Sequence, residues 1–187
     1  MLRPILIWPD PLLKKKALPV SVVDDGLRAL VKDMFETMYD ADGVGLAAPQ
    51  VGVLQRLIVL DTSPRDEGAQ PIAMVNPVIT AQEGTAIWGE GCLSIPGETE
   101  DVERAATVTV RFQDESGAAK ELTTGGLLAI AIQHEVDHLD GVVFVDHVST
   151  LKRELIRKRM KKLKAAEEKP APARPAAKKR AGRTSRG

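Results

Sequence analysis

Leu27, Leu30, Val31, Met34, Phe35 and Met38 recur at the spacing of one helix face. That pattern predicts an amphipathic helix whose apolar stripe packs on the body of the protein. Asp24 or Asp25 can cap its start, and Asp42-Gly43 can end it. Ahead of it, Pro4, Pro9, Pro11 and Pro19 keep most of residues 2–20 out of helix. From about 44 to 123 the pattern turns to strands. Leu57-Ile58-Val59-Leu60 is a short apolar run, Ile72-Ala73-Met74-Val75 is another that Asn76-Pro77 should stop, and residues 107–112 alternate before a turn at 114–117.

A second helix is expected from Gly126 to Leu139. Leu127, Leu128, Ile130, Ala131 and Ile132 make it apolar nearly all round, so it should be buried. A third helix should begin near Ser149-Thr150, with Leu151, Leu155, Met160 and Leu163 as a thin stripe among Lys and Arg. Beyond it Pro170, Pro172 and Pro175 crowd a stretch of Ala, Lys and Arg that holds too little apolar surface to fold. The chain thus divides into a body (1–148), a basic helix (149–165) and a tail (166–187) expected to be disordered.

Composition sharpens this picture. Aromatic residues are 3% of the 187, so aliphatic side chains must form the core. The formal net charge is zero, yet residues 151–187 hold 15 Lys/Arg against 3 Asp/Glu, and residues 1–150 hold 11 against 23. An acidic body therefore carries a basic arm, which suits RNA or another acidic partner. The single cysteine excludes an internal disulfide. No apolar run approaches the roughly 20 residues of a membrane-spanning helix, so no membrane role is expected. A reducing, cytoplasmic setting follows.

The densest chemistry is Gln133-His134-Glu135-Val136-Asp137-His138 on the second helix. Two histidines four apart share a helix face, so both imidazoles can reach one metal ion. Glu135 beside them can take a proton from water that the metal activates. A buried helix would also bury these polar groups, and a metal would partner them. The site needs a third ligand, and Cys92, His147 and a carboxylate are the candidates. Spacing favours Cys92, which lies in Glu90-Gly91-Cys92-Leu93-Ser94. A thiolate with two imidazoles suits iron, zinc, cobalt or nickel. A third segment, Gly43-Val44-Gly45-Leu46-Ala47-Ala48-Pro49-Gln50, offers bare backbone that something approaches closely. It lacks the Lys-Ser/Thr of a phosphate loop, and Gln50 is a candidate amide donor for an oxyanion.

Taken together, these three segments resemble the signature motifs of peptide deformylases, in order and at similar spacing. Weaker likeness extends to residues 5–12 and 75–79, so about 2–163 is covered. The resemblance implies an α+β fold, with β-sheets around a central metal-bearing helix and with N-terminal and C-terminal helices. It implies a metal-dependent hydrolase that removes the N-formyl group from the formylmethionine of nascent polypeptides and releases formate. Cys92, His134 and His138 would hold one divalent ion, ferrous iron first, with zinc, nickel or cobalt as substitutes. Glu135 would be general base and then general acid, Gln50 and the Leu93 N–H would stabilise the oxyanion, and Val44 and Gly45 would line the substrate cleft.

The chain departs from the family pattern at Val44, Ala131 and Trp88-Gly89, and Trp88 is expected to reshape the methionine pocket. Related proteins dock a C-terminal helix at the ribosome, which gives the basic helix and tail a partner in RNA. Two alternatives carry different signatures. A zinc metalloprotease would take a downstream His or Glu as third ligand, and a non-enzymatic ribosome-binding module would close a structural metal site with four ligands.

Overall fold

The computed structural model describes residues 1–63 and 68–167. The first helix, α1, spans Asp25–Asp40, and the Asp24 side chain caps it by accepting from the Leu27 N–H. Strands β1 (Gly45–Ala47), β2 (Leu57–Leu60), β3 (Ile72–Glu83), β6 (Thr107–Gln113) and β7 (Ala119–Gly125) form an antiparallel sheet in the order β1-β2-β3-β6-β7. Strands β4 (Ala86–Cys92) and β5 (Ile95–Arg104) pair only with each other. Helix α2 spans Gly126–Leu139 and α3 spans Thr150–Glu167.

The unbroken apolar run of β2 is explained by burial on both faces. Leu57 and Val59 join Leu27, Leu30, Val31, Met34 and Met38 of α1 in one core cluster. Ile58 and Leu60 join Ala129, Ile132 and Leu139 of α2 in another. The sheet is therefore held between α1 and α2, and α2 occupies the centre. Its end is fixed by Gly141 at φ 76, where an added Cβ would overlap the Lys14 carbonyl. Only glycine serves both needs.

Three expectations are corrected. Asn76-Pro77 does not stop β3: Asn76 takes φ 52 and the ladder to β6 bulges between Val75 and Val78. The bulge absorbs the missing Pro77 N–H, and Asn76 is clamped there by exchanging 2.8 Å hydrogen bonds with the Val20 backbone. The stripe expected on α3 is displaced in its first half, while Met160 is covered as expected. Ile156 and Met160 are buried, whereas Leu151 is 72% and Leu155 45% exposed. The buried pair meets Trp8, Leu13, Ile95 and Phe144 in a third cluster, so the body's contour selects the face. Finally, α3 runs through Ala166 and Glu167, two residues into the stretch expected to be disordered. The rest of that stretch, 168–187, lies outside the described residues. None of the described helices is long and apolar enough to cross a membrane.

Candidate metal centre and substrate cavity

Helix periodicity places His134 and His138 on the α2 face turned toward the β4–β5 hairpin, and β4 delivers Cys92 to the same point. Cys92 Sγ lies 3.2 Å from His138 Nε2. One ligand atom from each of Cys92, His134 and His138 falls within 4.8 Å of the others. The imidazoles are buried, at 8% and 1% exposure. No fourth His, Cys, Asp or Glu joins this group among the described residues.

Glu90 orients the first imidazole. It stands two residues before Cys92 on β4, so both side chains leave the same face of the strand. Its Oε2 accepts from His134 Nδ1–H at 2.8 Å, which leaves Nε2 free to ligate. Arg104 on β5 grips Glu90 through two hydrogen bonds of 2.7 and 2.9 Å, and reaches Asp137 at 2.6 Å. Burial works against the Glu90 charge. The bonds from Arg104 and His134 outweigh it and bring the carboxyl down to about 2. This carboxylate–imidazole pair is the support that metal-ligating histidines commonly have. The donor chemistry therefore fits one transition-metal ion: a thiol and two imidazoles, with a carboxylate fixing one tautomer and a fourth position left to water or substrate. His147, the other histidine considered as a ligand, instead bonds Asp137 Oδ2 at 2.7 Å near the surface.

Glu135 faces the same space from α2. It is 4% exposed, and its Oε2 is buried without a hydrogen-bond partner among the described residues. Burial pushes its carboxyl up to about 7. Glu90 and Asp137 add to the rise, and His134 and Arg104 oppose it. The carboxylate lies against β1 because Gly45 has no side chain: a Cβ there would overlap Glu135 Oε1. That overlap is the physical reason for glycine in the Gly43–Gln50 segment.

Gln50 lies in the short turn after β1 and is 1% exposed. Its Oε1 accepts from the Ala47 N–H at 2.7 Å, which fixes the amide plane. Nε2 therefore faces the hairpin, donating to Ser94 Oγ at 3.2 Å and lying 3.5 Å from Cys92 Sγ. Leu93 and Ser94 form the turn between β4 and β5, where Cys92 pairs with Ile95. In such a turn the ladder uses the first carbonyl and the fourth N–H, so the Leu93 N–H is not consumed by it.

These groups open onto a cavity of about 720 Å³, in the size range of ligand sites. Val44, Gly45, Gln50, Cys92, Leu93, His134 and Glu135 line it, and His138 sits behind Cys92. Trp88, Leu127, Ile130 and Ile5 supply apolar wall, with Trp88 41% exposed. Sequence reasoning assigned no role to Glu90, Arg104 or Asp137. The alternation of Glu90 with Cys92 was a usable signal, whereas the Arg104 contact depends on how β5 folds back.

A sequence profile of the polypeptide deformylase family matches residues 2–154. A peptide deformylase of Alkalilimnicola ehrlichii is 54% identical over 160 residues, 85% of this chain and 89% of that one. A second, from Xanthomonas campestris pv. campestris, is 51% identical over 166 residues, 87% and 96% of the two chains. Among solved structures, a peptide deformylase from Legionella pneumophila is similar, with a TM-score of 0.84 and 47% identity over 91% of this chain and all of that one. One from Ehrlichia chaffeensis, in complex with actinonin, has a TM-score of 0.83 and 36% identity over 90% and 99%. With the sequence match and the fold in agreement, the chain belongs to the polypeptide deformylase family and is a metal-dependent hydrolase that removes the N-formyl group from nascent polypeptides.

Proposed function

We propose that Cys92, His134 and His138 hold a single ferrous ion and that Glu135 carries the protons of deformylation. The observation behind this reading is the meeting of one thiol, two imidazoles and an unpartnered buried carboxylate at one wall of one cavity. A divalent ion bound there supplies Lewis acidity, acidifying water and polarising a carbonyl oxygen. Glu135 Oε2 takes the proton from the attacking water and returns it to the leaving nitrogen as the formyl C–N bond breaks. The Gln50 amide, held in orientation by Ala47, and the Leu93 N–H donate to the oxygen on which charge develops. Val44 and Gly45 line the path of the substrate backbone, and Trp88 contributes to the pocket for the methionine side chain. The Cys92 donor and the three-residue ligand group speak against both a zinc protease and a closed structural site.

The test is formate release from formyl-Met-Ala-Ser by protein loaded anaerobically with ferrous iron, with bound metal measured in parallel. Glu135→Ala should keep its metal and lose about 10²- to 10⁴-fold in turnover. Full activity in that variant would remove Glu135 from the proton path. No formate from metal-replete wild type would remove the site.

The basic helix and tail are proposed to bring the enzyme to ribosomal RNA in the cytoplasm, where formylated chains emerge. Lys158, Lys161 and Lys162 are exposed on α3, beside the exposed Leu151 and Leu155. A cationic surface of this kind gives salt-sensitive, sequence-independent attraction to phosphate.

A further inference from the structure

One stretch of the cavity wall is Ile95–Thr99 at the start of β5, and every residue of it lines the cavity. The β4–β5 ladder holds only the two ends of this stretch. Cys92 pairs with Ile95 and Gly91 pairs with Thr99, so Pro96, Gly97 and Glu98 have no cross-strand partner in β4. Gly97 adds a backbone at φ 77. The support comes from α3. Ile156 and Met160 join Ile95 in one buried apolar cluster. Arg159 takes Glu98 in a forked pair, Nε to Oε1 at 2.5 Å and Nη2 to Oε2 at 2.6 Å, and the Glu98 side chain is only 14% exposed there. Two turns earlier, Lys152 makes a separate 2.5 Å pair with Glu100, which does not line the cavity.

We propose that the C-terminal helix is part of the substrate-binding wall: Arg159, by holding Glu98, fixes the bulged Pro96–Glu98 strip against which peptide residues beyond the formylmethionine lie. The proposal rests on the reading of the cavity as the deformylation site. Arg159 is a positioning residue, since it acts through Glu98 and touches no reacting atom. The forked geometry matters because a partly exposed ion pair held by a single bond is screened by solvent and contributes little, whereas two parallel bonds fix the carboxylate in one orientation. The effect belongs to substrates long enough to reach the strip and to binding rather than chemistry.

Steady-state kinetics of the metal-replete full chain on formyl-Met-amide and formyl-Met-Ala-Ser-amide test this, with amidated ends removing the substrate carboxylate from the comparison. Arg159→Gln should raise KM for the longer peptide about three- to fivefold, leave its kcat unchanged and leave both constants for formyl-Met-amide unchanged. Arg159→Lys should restore part of the loss, and Lys152→Gln should behave as wild type. The proposal is overturned if Arg159→Gln matches wild type on the longer peptide, if both substrates suffer equally, or if Lys152→Gln has the same effect. Inactivity of the wild type on both substrates would overturn the reading of the cavity itself.

Discussion

At the scale of single residues, the catalytic constellation depends as much on what is missing as on what is present. Gly45 leaves the space that Glu135 Oε1 occupies. Gly45→Ala should fold, since β1 tolerates alanine, yet displace the carboxylate by the better part of an ångström. A misplacement of that size costs about 10²-fold in kcat/KM, which formate release would read. Wild-type activity in Gly45→Ala would mean that Glu135 has another productive position. Gln50 shows the complementary arrangement. Its carbonyl is spent on Ala47 so that its N–H face is committed to the hairpin. The residue types at these positions were legible because their chemistry is local: histidines four apart need only a helix. The role of Glu90 was not, because a carboxylate in a strand gives no sign of its partner.

At the scale of elements, the β4–β5 hairpin is what converts two helical histidines into a site. It brings Cys92 to the metal position and Glu90 to His134, while Arg104 on the second strand holds Glu90 in place. Glu90→Ala should leave the buried Arg104 guanidinium with Asp137 as its remaining carboxylate partner. The expected cost is about 3 kcal/mol in urea unfolding, the lower end for breaking a buried pair, because Asp137 compensates in part. Metal affinity should fall about 10- to 100-fold in competition with a chelator, through loss of the imidazole's support. Unchanged affinity would mean that His134 is oriented by packing alone.

This hairpin was also the element least visible in the sequence. Residues 86–92 are rich in glycine, and β5 is a polar strand whose alternation is broken by the Pro96–Glu98 bulge. By contrast, α2 was legible to its ends: an apolar pattern bounded by glycines has one reading when it is buried all round. Helix α3 was legible in position and not in orientation. Leu151 and Ile156 are equally apolar in sequence, and only the contour of Trp8, Leu13 and Phe144 decides which of them is covered.

At the scale of the whole molecule, the zero net charge is two opposed regions that meet along α3. Arg153, Lys152, Arg159 and Lys164 pair with Asp146, Glu100, Glu98 and Asp10 of the acidic body. The outer face keeps Lys158, Lys161 and Lys162 exposed. Replacing these three by glutamine should leave turnover on formyl-Met-Ala-Ser unchanged. Ribosome co-sedimentation should weaken, and the slope of log affinity against log salt should fall by about one for each lysine that meets a phosphate. An unchanged slope would confine the helix to its inner face, where it braces the cavity wall.

What the sequence determined by itself is the set of local instructions: the two helical histidines with Glu135 between them, the helix boundaries that caps and glycines impose, and the separation of acidic body from basic arm. These follow from periodicity, backbone freedom and charge, which are properties of neighbours along the chain. The tertiary structure brought Cys92, which spacing already favoured over His147, beside the two imidazoles, and it alone decided that Glu90 and Arg104 brace the site and that α3 turns Ile156 inward and grips Glu98. The hydrogen bonds among those contacts join residues 14 to 61 positions apart. No local pattern encodes a pairing of that kind, because it exists only once the hairpin and both helices share one packed surface.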